Sequence, residues 1–128
     1  MKDFDVVVIG GGASGCMAGI SAGKNGAKVL VIERNEKLGK KLFITGKGRC
    51  NLTNNSDVNT HLSNTINGKK FLNSAIRSFS SNDCISFFEG LGLKLKTERG
   101  NRVFPASDKS SDVLKVLEHE LKTMLKFY

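Results

Sequence analysis

Two short apolar runs near the start of the chain, separated by a segment of small residues, are the clearest pattern of hydrophobic and polar positions. The runs are Val6–Ile9 and Val29–Ile32, and residues 13–24 lie between them. Short apolar runs are typical of buried strands, and Asn25 followed by Gly26 is typical of a helix end. This order of strand, helix and strand predicts a βαβ unit and an α/β fold built on a parallel sheet.

The rest of the chain divides by composition and periodicity into a loop, an insertion and a final helix. Residues 35–54 are rich in Gly, Lys and Asn and predict a loop after the βαβ unit of residues 5–34. Residues 57–105 predict an insertion made of a polar connection, two helices and a hairpin. Residues 112–127 carry apolar positions at helical spacing and predict the final helix. Within the insertion we expect the phenylalanines to form core, namely Phe71, Phe79, Phe87 and Phe88.

A glycine motif directly follows the first predicted strand. Gly10, Gly12 and Gly15 fit the spacing G-x-G-x-x-G, which is typical of dinucleotide-binding βαβ units. Gly10 lets the chain turn sharply, Gly12 lets a pyrophosphate approach the backbone, and Gly15 lets the helix pack close to the sheet. The helix N-terminus then presents free N–H groups and its positive dipole end to the phosphates.

Glu33 is the acidic residue expected at the end of the second strand of such a unit, and it lies 23 residues after Gly10. A carboxylate at this position accepts hydrogen bonds from the two ribose hydroxyls of an adenosine. It also repels a 2′-phosphate. The sequence therefore predicts a site for an adenine dinucleotide other than NADP.

The composition is that of a soluble globular protein without a membrane partner. Hydrophobic residues make up 39% of the chain, and no apolar run approaches the ~20 residues of a membrane helix. Asp3 and Asp5 precede the first apolar run, so we expect no signal peptide and a cytoplasmic location. The net charge of +8 predicts only non-specific binding to nucleic acid, because no recognition motif accompanies it.

The cysteines and histidines predict neither a disulfide framework nor a metal site. Cys16, Cys50 and Cys84 are an odd number without a C-x-x-C pair. His61 and His119 are isolated and are expected at the surface. No carboxylate or histidine has a motif for general acid–base work, so no catalytic residue is assigned.

Residues 39–54 carry a more specific motif. They read GKKLFITGKGRCNLTN, and their basic residues stand beside the predicted phosphate site. Together with GGGASG near the N-terminus and Glu33-Arg34, this motif closely resembles the BaiN/RdsA-like family of FAD-dependent oxidoreductases, the aminoacetone-oxidase-like group related to the glutathione-reductase type of FAD fold. The resemblance extends to RVFP at Arg102–Pro105 and to the helix after it.

The resemblance implies a Rossmann-like FAD/NAD(P)-binding domain of the glutathione-reductase type, whose first motif binds the ADP half of FAD rather than NAD. It places Ala13 and Ser14 at the pyrophosphate, Glu33 at the ribose and Arg34 beside the adenine. Lys40 would reach phosphate or ribose oxygens, and residues 46–51 would pass the ribityl chain and the flavin. The predicted cofactor-binding residues are therefore Gly10, Gly12, Ala13, Ser14, Gly15, Glu33, Arg34, Lys40, Lys41, Gly46, Gly48, Arg49 and Asn51.

By the same resemblance, the parent activity is redox chemistry on a small organic substrate. Amines and steroid-like ketones are candidate substrates, and NAD(P)H is a candidate electron donor. Glutathione-reductase relatives carry C-x-x-x-x-C in a comparable loop, but position 55 is Asn here. Without a partner, Cys50 is predicted to be a packed thiol.

No third parallel strand follows the predicted final helix, so we interpret the chain as the N-terminal portion of an FAD-binding domain, truncated before that strand. The substrate-binding part is then expected beyond Tyr128. We expect the isolated chain to hold at most the adenosine half of FAD, to show no flavin turnover, and to self-associate or expose apolar surface. Two alternatives stay open, a truncated non-catalytic dinucleotide-binding module and an NAD-binding domain.

Overall fold

Two parallel strands joined by a helix form the start of the chain, as the sequence predicts. In the computed structural model, which describes residues 3–124, β1 (Val6–Ile9) and β2 (Val29–Ile32) pair in parallel, and α1 (Ala13–Lys24) connects them. Their register pairs the two strands residue for residue from the first position to the last. This arrangement is the first βαβ unit of a Rossmann-like α/β fold.

The chain divides into two units. The first holds residues up to 50 and from 109 onward, and adds α2 (Lys40–Gly48) and α6 (Ser110–Met124) to the βαβ unit. The second holds residues 51–108. Its elements are β3 (Thr53–Asn54), α3 (Val58–Ser63), α4 (Lys69–Ser78), α5 (Ser81–Gly90), β4 (Leu95–Glu98), a short 3-10 turn (Arg99–Asn101) and β5 (Arg102–Pro105).

The core of the first unit lies between α1, α6 and one face of the two-stranded sheet. The small residues of α1 permit this packing, because a side chain at Gly19 would meet Leu121 at 2.9 Å and Val31 at 3.2 Å. Close approach of this kind needs glycine. The buried residues of the layer are Cys16, Ile20, Val29, Val113, Leu117 and Leu121.

The opposite face of the same sheet is apolar and exposed. Side chains alternate between faces along a strand, so Val7, Ile9 and Ile32 share one face in the observed register. They are exposed to 51%, 86% and 49%, respectively. The exposed apolar surface expected from the sequence is therefore present in the first unit.

The second unit contains an antiparallel sheet in the order β3-β5-β4, with α5 packed against it. The β4–β5 pair is the hairpin that the alternation predicts. Helix α5 begins with a capping box, in which Ser80 accepts from the Asp83 N–H and Asp83 accepts from the Ser80 N–H. The core of this unit is formed by Phe88, Leu93, Val103 and Phe104.

Two segments predicted to lack regular structure are helical. Helix α2 lies inside the predicted loop; its backbone is helical from Lys40 to Ile44 and leaves the helix at Thr45, which has ψ 154°. Because α2 packs on α6, a tertiary contact overrides the loop-like composition. Residues 58–63 form α3 inside the predicted polar connection. The start signal of α3 is Asp57, whose side chain accepts a hydrogen bond from the Thr60 N–H at 2.7 Å.

The predictions for the final helix, the phenylalanines and His61 differ from the structure in detail. The final helix begins at Ser110 rather than at 112, and its predicted end at 127 lies outside the described residues. Phe71 and Phe79 are 86% and 44% exposed, so the core prediction is wrong for both; it is correct for buried Phe88, and Phe87 is half buried. His61 is half buried rather than exposed, because its Nε2 lies 2.9 Å from the Asn54 carbonyl oxygen.

Candidate dinucleotide-binding site

The glycine turn joins β1 to α1 at the carboxyl end of the sheet. Gly10 has φ +101°, a left-handed conformation that glycine adopts without strain. Its N–H donates to the Ile32 carbonyl at 2.7 Å, which extends the β1–β2 ladder into the turn. The chain thus leaves the sheet where both parallel strands end, the place where dinucleotide sites occur.

Gly15 allows α1 to start directly against this turn. A Cβ at Gly15 would collide with the carbonyl oxygen of Gly10 and would contact Val8 at 3.4 Å. Because the Gly10 carbonyl oxygen is a backbone atom, it cannot move away by a change of side-chain rotamer. The predicted packing role of Gly15 follows from this contact.

Gly12 differs from Gly15, because a Cβ at Gly12 would meet nothing within 4 Å. Gly12 is the N-cap of α1 and has an extended conformation open to any residue, φ −79° and ψ −171°. No side chain caps this helix end in the described structure, and its first turn contains no acidic residue. The open space therefore lies in front of the helix N–H groups.

This helix end fits the pyrophosphate of a dinucleotide. The first helical bond runs from the Cys16 N–H to the Gly12 carbonyl at 2.9 Å, so the Ala13, Ser14 and Gly15 N–H groups precede the helical ladder. Unpaired N–H groups and the positive end of the helix dipole bind phosphate. The predicted roles of Ala13 and Ser14 are compatible with this geometry.

Glu33 is tied to the glycine turn by hydrogen bonds. Its Oε2 accepts from the Gly11 N–H at 2.7 Å. Its Oε1 accepts from the Asn35 N–H at 2.8 Å and from the Asn35 side chain at 2.6 Å. These donors, the Asn35 backbone first and the Gly11 backbone next, lower the pKa of Glu33. The residue is therefore a carboxylate at neutral pH, as ribose binding requires.

The carboxylate of Glu33 keeps capacity for further donors. A carboxylate offers about four acceptor positions, and three protein donors reach this one. One acceptor position, on Oε2, is left for a ribose hydroxyl. The role of Glu33 as ribose acceptor stays a prediction. The sequence did not indicate its hydrogen bond with the Gly11 N–H.

Gly11 is the functional residue that motif reasoning missed. It is buried, and a side chain there would collide with Leu38 and lie 3.2 Å from the Glu33 carboxylate. Its carbonyl accepts from the Gly39 N–H at 2.7 Å, which ties the start of α2 to the turn. The signal available in the sequence is the unbroken Gly10-Gly11-Gly12 run.

The basic residues predicted at the site are exposed. Lys40 follows Gly39 directly, so the Gly39–Gly11 hydrogen bond brings the first turn of α2 to the glycine turn. The side chains of Arg34, Lys40 and Lys41 all face solvent. They supply positive charge for phosphate oxygens, and their cofactor contacts remain predictions.

Residues 46–48 form a left-handed turn at the end of α2. Gly46, Lys47 and Gly48 have φ values of 55°, 56° and 83°. The turn closes through the Arg49 N–H, which donates to the Gly46 carbonyl at 3.2 Å. Lys47 is a non-glycine residue in the left-handed region, and such strain concentrates at functional sites. The predicted contacts of Gly46, Gly48 and Arg49 with the ribityl chain and the flavin remain predictions.

Asn51 belongs to the second unit, where its side chain has a structural role. With its amide nitrogen facing them, it donates to the Thr53 carbonyl at 3.0 Å and the Val103 carbonyl at 3.2 Å. The amide therefore joins β3 and β5. Its cofactor role stays a prediction.

Cys50 is a packed thiol. It is 3% exposed, and burial raises its pKa although a hydrogen bond with Thr45 opposes the shift. Burial also raises the pKa of Cys16. In the described part of the chain, no group of three or more His, Cys, Asp or Glu residues could hold a metal ion. Residues 3–124 also contain no helix long and apolar enough to cross a membrane.

A comparison with known proteins identifies the family to which the chain belongs. The HI0933-like protein Rossmann domain matches residues 4–125. The chain belongs to this family. It is the BaiN/RdsA-like family indicated by residues 39–54, so that identification and the Rossmann-like fold class are confirmed.

Three relatives illustrate the extent of the similarity. The chain is 39% identical over 118 residues to the 3-dehydro-bile acid delta(4,6)-reductase of Clostridium scindens, covering 90% of this chain and 28% of that protein. It is 31% identical over 121 residues to the ribosomal RNA dihydrouridine synthase of Escherichia coli, covering 94% and 29%. It is 63% identical over 35 residues to the mitochondrial dihydrolipoyl dehydrogenase of Dictyostelium discoideum, covering 27% and 7%. The chain thus spans less than a third of the length of these relatives.

Proposed function

We propose that this chain is the part of a flavin-dependent oxidoreductase that binds the adenosine side of FAD. The observation that carries the proposal is the open N-terminus of α1, where Gly12 leaves space in front of uncapped N–H groups. Glu33 is hydrogen-bonded to the same turn. Pyrophosphate and ribose fit these two features. The family match and the relative named as a reductase support a flavin cofactor and redox chemistry.

The residues of the chain bind and orient the cofactor, and FAD when bound supplies the hydride chemistry. The N–H groups of Ala13 and Ser14 hold the pyrophosphate. Glu33 accepts from the ribose while it keeps the Gly11 turn in place. Lys40, Lys41 and Arg34 add positive charge. We assign no proton transfer to any of these side chains.

The substrate in this proposal is a small organic molecule, with NAD(P)H as the candidate electron donor and the cytoplasm as the location. The relative with 39% identity is named for a bile-acid substrate, which supports a steroid-like ketone over an amine. In the alternative, the chain is a non-catalytic dinucleotide-binding module, which has the same adenosine site but shows no turnover.

Calorimetric titration of the purified 128-residue chain with ADP, FAD, NAD and NADP tests the proposal. We expect ADP and FAD to bind with similar modest affinity, because both present the same ADP half. NADP should bind more weakly than NAD, since its 2′-phosphate meets the Glu33 carboxylate. We also expect no flavin turnover by the chain alone. Absence of ADP binding, or tighter binding of NADP, would contradict the proposed site.

Substitutions at Glu33 sharpen the test. Glu33→Ala should weaken ADP binding at least about tenfold, because it removes charge-assisted hydrogen bonds. Glu33→Gln should cost less, since an amide oxygen still accepts one bond. Glu36→Ala is the matched control, as Glu36 is an exposed acid three positions away. If Glu33→Ala binds ADP as the wild type does, the ribose assignment is wrong.

A further inference from the structure

Two Asn-Gly pairs occur in the chain, Asn25-Gly26 and Asn67-Gly68. An asparagine followed by glycine is chemically labile, because the next backbone nitrogen can attack the side-chain amide carbon and glycine has no side chain that obstructs the approach. The attack needs an asparagine side chain that can rotate and a backbone nitrogen that is not held in a hydrogen bond. The local structure of each pair therefore decides which asparagine reacts.

The first pair is held in the C-terminal cap of α1. The Asn25 side chain donates to the Ser21 carbonyl at 2.8 Å. The Gly26 N–H donates to the Gly23 carbonyl at 3.0 Å, and Gly26 has φ +86°, which is a common way for a helix to end. Both reacting groups of this pair are thus engaged in hydrogen bonds. Reaction at Asn25 requires this helix end to open first.

The second pair lies in the connection between α3 and α4. Asn67 and Gly68 are both exposed, and Ile66 before them is 93% exposed. Within residues 3–124, neither the Asn67 side chain nor the Gly68 N–H has a hydrogen-bond partner. A Cβ at Gly68 would meet nothing within 4 Å, so the space around the backbone nitrogen is open. The Asn67 side chain can therefore turn toward the Gly68 nitrogen without breaking a hydrogen bond.

We propose that Asn67 is a site of spontaneous deamidation. The Gly68 nitrogen gives up its proton and bonds to the side-chain amide carbon of Asn67. The bond from that carbon to the amide nitrogen breaks, and ammonia leaves. Water then opens the cyclic succinimide at either carbonyl, which gives aspartate or isoaspartate. Water is the only co-reactant, nothing is oxidised or reduced, and the modification does not depend on the dinucleotide site.

The start of α4 gains from the new carboxylate. Gly68 is the N-cap of α4 and has no side chain to cap it, and in the described structure the first turn of α4 contains no acidic residue. The helix begins instead with Lys69 and Lys70, whose charges oppose the positive end of the helix dipole. A carboxylate at position 67 directly precedes this helix end and attracts both the dipole and the lysines. Conversion of Asn67 to aspartate therefore stabilises the start of α4.

Peptide mass spectrometry of the 128-residue chain, aged at mildly alkaline pH and sampled over time, tests the proposed site. In the folded chain Asn67 should deamidate at least about tenfold faster than Asn25, because only Asn25 needs local opening before it reacts. In guanidinium chloride, where neither helix end forms, the two rates should become similar. Asn67→Gln should remove the reaction at this position, since glutamine would have to form a larger ring. The matched control Asn25→Gln should leave the reaction at Asn67 unchanged.

Two results would overturn the site. One is equal rates at Asn25 and Asn67 in the folded chain, which would show that the helix cap gives no protection. The other is an unmodified Asn67 after a time in which the chain in guanidinium chloride is deamidated, which would show that the folded connection prevents the attack.

The variant Asn67→Asp measures the effect on α4. It should raise the urea concentration at the midpoint of unfolding, followed by circular dichroism. The matched variant Asn25→Asp should lower this midpoint, because its carboxylate lies at the negative end of the α1 dipole. A midpoint for Asn67→Asp at or below that of the wild type would overturn the stabilising effect of the modification.

Discussion

Gly12 has open space where a side chain would project, in front of the α1 N-terminus. Gly12→Val should therefore leave the fold intact and block the approach of a pyrophosphate, with at least about a tenfold loss of ADP affinity. Calorimetry and a thermal melt measure the two effects separately. Gly90→Val is the control, because Gly90 also faces open space but belongs to the other unit. Equal ADP affinity for Gly12→Val and wild type would remove the pyrophosphate assignment.

Glu33 makes the stability of the first unit depend on pH. Its pKa is lowered because the Asn35 and Gly11 N–H groups donate to the carboxylate. A carboxylate whose pKa is lower in the folded chain stabilises the fold above its unfolded pKa, about 4.3, and the contribution is lost as pH falls through that value and below. The melting temperature of the wild type should therefore fall more steeply toward about pH 3 than that of Glu33→Gln.

The control for this comparison lies within the chain. Asp57 and Asp83 also have lowered pKa values, caused by their helix-cap hydrogen bonds. Both residues are unchanged in Glu33→Gln. The difference between the curves of melting temperature against pH for the wild type and the variant therefore reports on Glu33 alone. Parallel curves would show that its hydrogen bonds to the turn do not stabilise the fold.

At the scale of elements, α1 can start where it does only because Gly15 has no side chain. Gly15→Ala places a methyl group on the Gly10 carbonyl, so the helix must move away from β1. We expect a loss of about 1–3 kcal/mol in the free energy of unfolding, the cost typical of overpacking. Urea unfolding measures it.

Gly90→Ala is the matched control for this loss. Gly90 ends α5, and a Cβ there meets nothing within 4 Å. Alanine at that position should be neutral or stabilising by up to about 1 kcal/mol. If Gly15→Ala is as stable as Gly90→Ala, the close packing of α1 on the turn is not required for folding.

At the scale of the whole molecule, the exposed apolar face of the two-stranded sheet should promote self-association. Val7, Ile9 and Ile32 form this face, and strands of such a small sheet leave edges that pair with other chains. The double substitution Val7→Thr/Ile9→Thr keeps β-propensity and removes apolar surface. Sedimentation should show a mass above 13.9 kDa that rises with concentration for the wild type and approaches 13.9 kDa for the variant.

Ile66→Thr separates this effect from general surface hydrophobicity. Ile66 is as exposed as Ile9 but lies in the second unit. It should leave the self-association unchanged. A monomeric wild type at high concentration would show that the exposed sheet face does not mediate contacts between copies.

The sequence by itself determined the parts of this protein whose causes are local. Gly10 marks the turn because glycine adopts a φ of +101° without strain, and the apolar runs mark β1 and β2 because they are short and uninterrupted. Glu33 is identified by its distance along the chain from the turn, and the alternation before Pro105 identifies the β4–β5 hairpin. The turn, the strands and the hairpin are signalled by a residue and its near neighbours, and Glu33 by a spacing of 23 residues along the chain.

Only the tertiary structure decided features that depend on distant partners. Residues 40–44 are helical because α6 packs on α2, and Gly11 matters because its N–H donates to the Glu33 carboxylate after folding. Phe71 shows the same limit, since its helical spacing resembles that of a core residue, yet it is exposed and the neighbouring Leu72 and Ile76 are half buried. Periodicity identifies apolar positions but not which of them find a partner, because burial is set by contacts between elements far apart in the chain.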